Sequence, residues 1–220
     1  GGGGGRGGGG GGGGGGRGEA RGKAERLIAE GRLQEASKEI YKAIDVTPEM
    51  AKQFIDAVKQ TFGEQPTRVR WIVAPYEADA QLAYLEARGL VSAVLSEDSD
   101  LVLFGVKRLC VKLDYRTGYF ELVRSDRIQA TRDLDLKGCT LRRLRQMCIL
   151  AGCDYVASVS GMGLKTAHRY LLKYGTVPRV AQVLRAEGRV VPEDYEQMVE
   201  RAELTFCHQR VWCPLAKRTV

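Results

Sequence analysis

Five acidic side chains stand where their type and spacing could do chemistry: Glu77 and Asp79, Asp98 and Asp100, and Asp154. The first pair follows an apolar, β-prone run at 69–74, the second follows another at 91–96, and Asp154 follows an apolar segment at 141–151. At i, i+2 on an extended backbone, Asp98 and Asp100 point to one side. Glu77 and Asp79 fall in the opening turns of a predicted helix, where the helix dipole tolerates anions. Because i and i+2 do not share a helical face, one of the two is expected to reach a common site only through water. Carboxylates gathered in one place repel unless they are protonated or hold hard cations. Oxygen ligands without His or Cys nearby select Mg²⁺, or Mn²⁺ in its place, over zinc. A pair of such ions suits in-line attack on a phosphodiester, one activating water and the other stabilising the leaving oxygen. Either acidic pair alone reads more simply as helix-end decoration, and a lone Asp154 as a cap; both pairs at one sheet edge favour the metal site.

The elements that must position these acids follow from periodicity. Strand 69–74, a helix opened by Pro75 and stopped by Gly89, and strand 91–96 make a strand–helix–strand unit, which implies parallel pairing. Ligands of open α/β sheets gather beyond the carboxyl ends of the strands, where both acidic pairs are expected. Segments 109–113 and 119–123 flank Thr117-Gly118 and predict a hairpin at the sheet edge. Helices are expected at 141–151, 165–174, 178–187 and 192–209. Upstream, 19–62 has helical spacing through Leu27, Ile28, Leu33, Ala36, Ile40 and Ile44, with a break at Gly31. Thr47-Pro48 reads as an N-cap and first helical residue of a further helix that Gly63 stops. The predicted fold class is α/β: a partial parallel sheet with flanking helices and a helical carboxy-terminal subdomain. Four regions are expected: a Gly-rich tail (1–18), a helical region (19–66), an α/β core (67–136) and a helical region (137–220).

A second constellation lies at 158–167. Gly161 and Gly163 allow close approach of the backbone, and the helix after them offers free N–H groups to an anion. Lys165, Arg169 and Lys173 recur at i, i+4, i+8 as a basic stripe. Together these predict a helix–hairpin–helix that grips a nucleic-acid backbone without reading bases; the plainer alternative is a helix junction with a solvated basic face. The Ser158 hydroxyl and loop carbonyls could hold a monovalent cation that bridges to phosphate. The sets Arg142, Arg143, Arg145 and Arg124, Arg127, Arg132 read as solvated surface.

Composition bounds these readings. The 220 residues carry a net charge of +7, a weak pointer to a polyanionic partner. Sixteen of the 28 glycines lie in the first 18 positions, too poor in apolar groups to repay ordering. No apolar run is long enough for a membrane helix, and no charged segment leads into an apolar stretch as a secretory signal would. Six cysteines without a C-x-x-C pair predict reduced thiols rather than zinc or a disulfide scaffold.

The stretches 73–85, 96–101 and 147–155, with Gly161-Met162-Gly163 and its helix, resemble the motifs of the structure-specific 5′ nucleases, the flap endonuclease and exonuclease 1 superfamily. Phe104-Gly105 and the region from Val191 to Arg218 are most similar to its exonuclease 1 branch. The resemblance implies a PIN-like nuclease core and 5′→3′ exonuclease and 5′-flap endonuclease activity on duplex DNA with a 5′ end, nick, gap or flap. It also implies a nuclear place in mismatch repair and recombination, with mismatch-repair proteins as partners. Glu77, Asp79, Asp98, Asp100 and Asp154 match the family's metal-site acids, for two Mg²⁺ ions. Ser158, Gly161, Gly163, Lys165 and Arg169 match its DNA-gripping hairpin, with K⁺ as the bridging ion. Residues 19–62 resemble the helical arch and the helix after it. The family's preceding strands and two further metal-site aspartates have no counterpart here, which points to a fragment or truncated gene model, inactive or impaired in turnover.

Two other function classes compete. A non-catalytic DNA-binding module would use the hairpin alone. A small-molecule phosphohydrolase with Asp98 as nucleophile would want a Thr and a Lys in register downstream, which Leu101-Val102 do not supply.

Overall fold

The computed structural model describes residues 14–44, 46–63, 69–131 and 133–220. The chain divides into two compact units, Gly1–Trp71 and Ile72–Val220.

The first unit is helical in its described residues. Helix α1 (Gly14–Ala29) takes in the last five positions of the glycine tract; the rest of the tract lies outside the described residues. After a turn with Gly31 at φ 74°, α2 (Leu33–Ala43) folds back on α1. Three alanines and one leucine are buried there, Ala20, Ala24, Ala36 and Leu27, whereas Ile28, Leu33, Ile40 and Ile44 of the predicted apolar stripe are exposed. Helix α3 (Pro48–Phe62) begins as foreseen, with Thr47 Oγ1 accepting from the Met50 N–H at 3.3 Å, and ends at Gly63, φ 68°.

The second unit carries the acids. It runs through α4 (Ala78–Ala87), β1 (Val94–Leu95), the short α5 (Leu101–Phe104), β2 (Arg108–Val111) and β3 (Glu121–Arg124). Helices α6 (Leu141–Ala151), α7 (Leu164–Tyr174), α8 (Val177–Ala186) and α9 (Tyr195–His208) follow, close to their predicted bounds. A ribbon of β4 (Trp212–Cys213) and β5 (Arg218–Thr219), which nothing in the pattern announced, closes the chain.

The sheet differs from the expected one in a way that matters for the site. Residues 69–74 form no strand, and Val73 is 73% exposed. A β-prone run becomes a strand only where a neighbour takes up its N–H and C=O groups. Among the described residues β1 pairs only with β2, in parallel, with Val94 opposite Leu109. The parallel crossover therefore runs through α5, not α4. The predicted hairpin is present, β2 lying antiparallel to β3 with Leu109 opposite Val123. At its tip Asp114 Oδ1 accepts from the Arg116 N–H at 2.9 Å, and Gly118 has φ 74°.

The core lies where α5, α6, α8 and α9 meet the sheet. Leu101, Ile149, Leu150, Val180 and Leu184 are fully buried there, with Val94 and Leu109 from the strands. Helix α6, capped by Thr140, is stapled to its neighbours by the arginines expected to be solvated. Arg142 pairs with Glu203 at 2.8 Å, Arg143 donates to the Gly175 carbonyl, and Arg145 donates to the Leu103 carbonyl at 2.5 Å. Those carbonyls end helices and need donors, which a long guanidinium supplies. Arg124 is likewise paired, with Asp126 at 2.6 Å, and Arg132 lies outside the described residues. All six cysteines are free, and among the described residues no helix is long and apolar enough to cross a membrane.

Candidate metal and nucleic-acid site

With no strand before it, the start of α4 is positioned from the far end of the chain. Glu77 holds the extended N-cap position (φ −79°, ψ 141°), and Asp79 lies in the first turn. Gln209, just past α9, accepts from the Glu77 N–H at 3.3 Å and donates through its amide nitrogen to Glu77 Oε2. The Tyr155 hydroxyl donates to the same oxygen at 2.5 Å. One turn along, buried Gln81 exchanges two hydrogen bonds with the backbone of Trp212, at 2.7 and 2.9 Å. At the other end of α4, buried Glu86 accepts from the Lys107 and Arg108 N–H groups at 2.6 and 2.9 Å, fixing the helix to β2.

Asp98 and Asp100 occupy the turn between β1 and α5. The Ser96 hydroxyl accepts from the Asp98 N–H at 3.1 Å, and Asp98 Oδ1 accepts from the Asp100 N–H at 2.8 Å. Helix-end capping thus explains one oxygen of Asp98. It does not explain Asp100, which holds the N-cap position of α5 without a side-chain capping bond.

Asp154 and Tyr155 form the tip of a tight turn closed by Cys153 and Val156, at 2.9 and 3.2 Å. The turn leaves α6 through Gly152 at φ 105°, where a Cβ would stand 3.3 Å from the Ser158 nitrogen, so any other residue there would be strained. The Tyr155 ring packs edge-on against Phe206, which meets Phe104 in the same way.

Electrostatics binds these pieces into one site. Partial burial, then the charges of Asp98, Glu77 and Asp100, push the Asp79 carboxyl above its ordinary range. Burial, then Asp98 and Asp154, push Asp100 up in the same direction. Burial and the hydrogen bond to Glu77 raise the Tyr155 phenol, so it stays protonated as a donor. The five acids thus share one field, and no basic side chain contributes to the shift of Asp79 or Asp100. An all-oxygen, mutually repelling donor set of this kind fits a hard divalent cation. Among the described residues, however, no three His, Cys, Asp or Glu side chains are close enough to hold an ion as they stand. The expected convergence on a small volume is therefore looser than spacing suggested, as like charges that must be neutralised together stand apart.

The predicted hairpin follows Asp154 in the chain, between α6 and α7. Ser158, Gly161, Gly163, Lys165 and Arg169 are all exposed, and Gly163 is the N-cap of α7 with no side-chain cap. Met162 and Val159 anchor the loop in the core. Arg189 holds it from outside: its guanidinium donates to the Ser160 carbonyl at 2.9 Å and lies over the Tyr170 ring. Arg189, Tyr155 and Gln209 are the contributors that sequence reasoning missed. Tyr155 lies within a motif quoted for its acid; Gln209, 132 positions from its partner, leaves no local signal.

Residues 68–154 match the XPG I-region. Over 205 residues the chain is 40% identical to exodeoxyribonuclease 1 of Schizosaccharomyces pombe, covering 93% of this chain and 34% of that protein. The catalytic core of Rad2 in complex with DNA substrate superposes with a TM-score of 0.59 at 21% identity, over 76% of this chain and 58% of that one. The junction-resolving enzyme GEN1, with product DNA and Mg²⁺, gives 0.56 at 24%, over 78% and 45%. The fold is thus that of the 5′ nucleases, and the chain belongs to the structure-specific 5′ nuclease superfamily. Its similarity within that superfamily is chiefly to exonuclease 1 proteins, and it spans between 21% and 44% of the length of the curated relatives it matches.

Proposed function

We propose that this chain is the carboxy-terminal part of a metal-dependent, structure-specific 5′ nuclease acting on duplex DNA at a 5′ end, nick, gap or flap. The observation that carries this reading is the placement of Glu77 and Asp79 at the start of α4, Asp98 and Asp100 between β1 and α5, and Asp154 after α6, near enough that the other acids push the Asp79 and Asp100 carboxyls upward. These five would hold two Mg²⁺ ions, which Mn²⁺ can replace. Bound there, divalent ions supply an activated water and charge stabilisation for the leaving oxygen of a phosphodiester. The chain's own part is to orient. Tyr155 and Gln209 fix Glu77, the turn at 98–100 aims Asp100, and the hairpin with Lys165 and Arg169 holds the DNA backbone, with K⁺ at Ser158 as the bridging ion. Support comes from relatives named exonucleases and from neighbours solved with DNA and Mg²⁺. The place in mismatch repair, the nuclear location and the fragment status belong to the same proposal.

The test is cleavage of a labelled 5′-flapped and 5′-recessed duplex by the chain joined to its missing family portion, with Mg²⁺, Mn²⁺ or chelator. Cleavage should require the metal. Asp98→Asn should lower turnover by orders of magnitude, about 10² or more, while DNA binding persists. Cleavage that survives chelation or Asp98→Asn would remove the acids from the mechanism. Binding without any cleavage would favour a DNA-binding module instead.

A further inference from the structure

The segment that leaves α9 does more than end a helix. Within a few residues it makes three contacts to the parts that carry the acids. Phe206, 3% exposed, packs its ring on Tyr155, the neighbour of Asp154. Gln209 engages Glu77 twice, through the backbone N–H and through Oε2. Trp212 engages Gln81 twice through its backbone, one turn into the helix that carries Asp79. Helix α4 has no flanking strand on its amino-terminal side to fix it, and its N-cap residue makes no capping bond of its own. Its first turn therefore takes its placement from segment 206–212.

We infer that Gln209 is a positioning residue for the metal site: its side-chain amide sets where the Glu77 carboxylate stands relative to Asp79, and so sets the affinity for divalent cations. The inference rests on the metal-site reading above. A single amide that accepts from a backbone N–H and donates to a carboxylate of the same residue fixes both position and rotamer. Gln209 and the Tyr155 hydroxyl both donate to Oε2 and leave the other oxygen of Glu77 outside these two bonds. Outer partners of this kind typically change metal affinity or activity by about 10–100-fold when removed.

The experiment is direct Mn²⁺ binding to the 220-residue chain, by calorimetry and by loss of free Mn²⁺ resonance signal, with thermal unfolding in parallel. Gln209→Met keeps the length and packing of the side chain and removes its polar contacts. It should weaken Mn²⁺ binding roughly ten-fold, with a melting midpoint near that of the parent. Gln209→Asn keeps the amide on a shorter stem and should recover part of the loss. Asp98→Asn is the internal control. If it weakens Mn²⁺ binding while Gln209→Met does not, Gln209 has only a structural part and this inference falls alone. If neither variant alters Mn²⁺ binding, or the chain binds none, the metal-site reading fails and the inference with it.

Discussion

Asp79 and Asp100 show how little at the residue scale belongs to a residue alone. Each is an ordinary carboxylate made reluctant to ionise by partial burial and by neighbouring acids, one from its own helix start or turn and at least one from another element. Because their folded values lie above the unfolded ones, ionisation works against the folded state. The cost is absent below the usual carboxylate range and is present in full once pH has risen through the folded values. In the metal-free chain Asp79→Asn should therefore raise the melting midpoint near pH 7 and leave it unchanged near about pH 3. These groups are mostly solvated, so the gain should stay under about 1 kcal/mol. Added Mn²⁺ should raise the parent's midpoint more than the variant's. Equal midpoints for parent and variant across that range would mean that Asp79 stands outside the field of the other acids. The residue types were legible in the sequence, since carboxylates without His or Cys already pointed to hard cations. Their neighbours in space were not, because Glu77 and Gln209 lie 132 positions apart.

At the element scale, boundaries set by local chemistry were readable and elements set by pairing were not. Thr47 caps α3, Gly31, Gly63, Gly152 and Gly175 take positive φ at helix ends, and α6 to α9 lie near their predicted bounds. Residues 69–74 have the composition of a strand, and among the described residues no strand pairs with them. The hairpin before α7 is a local motif, and its exposed stripe of Lys165, Arg169 and Lys173 follows from helical periodicity alone. Lys165→Glu with Arg169→Glu should weaken duplex binding and lower the slope of log affinity against log salt by about two. Fluorescence anisotropy over a salt series reads both. An unchanged slope would show the stripe to be a solvated helix face.

At the scale of the whole molecule, α9 is the member on which the second unit depends. Its Glu203 pairs with Arg142 and Gln146 of α6, its Phe206 joins Phe104 of α5 to Tyr155, and the chain beyond it holds α4. Phe206→Ala should cost about 3–5 kcal/mol, read as a lower denaturant midpoint, because the aromatic contacts on both sides are lost together. A cost below about 1 kcal/mol would mean that the site's framework closes without α9.

Taken alone, the order of residues determined the helices, the hairpin and where the acids fall along the chain, because caps and periodicity act over a few positions. The tertiary structure decided which acids share a field, that α6 is stapled by its arginines, and that Gln209 and Tyr155 hold Glu77. Those outcomes depend on which distant segments pack side by side, and spacing along the chain carries no record of that.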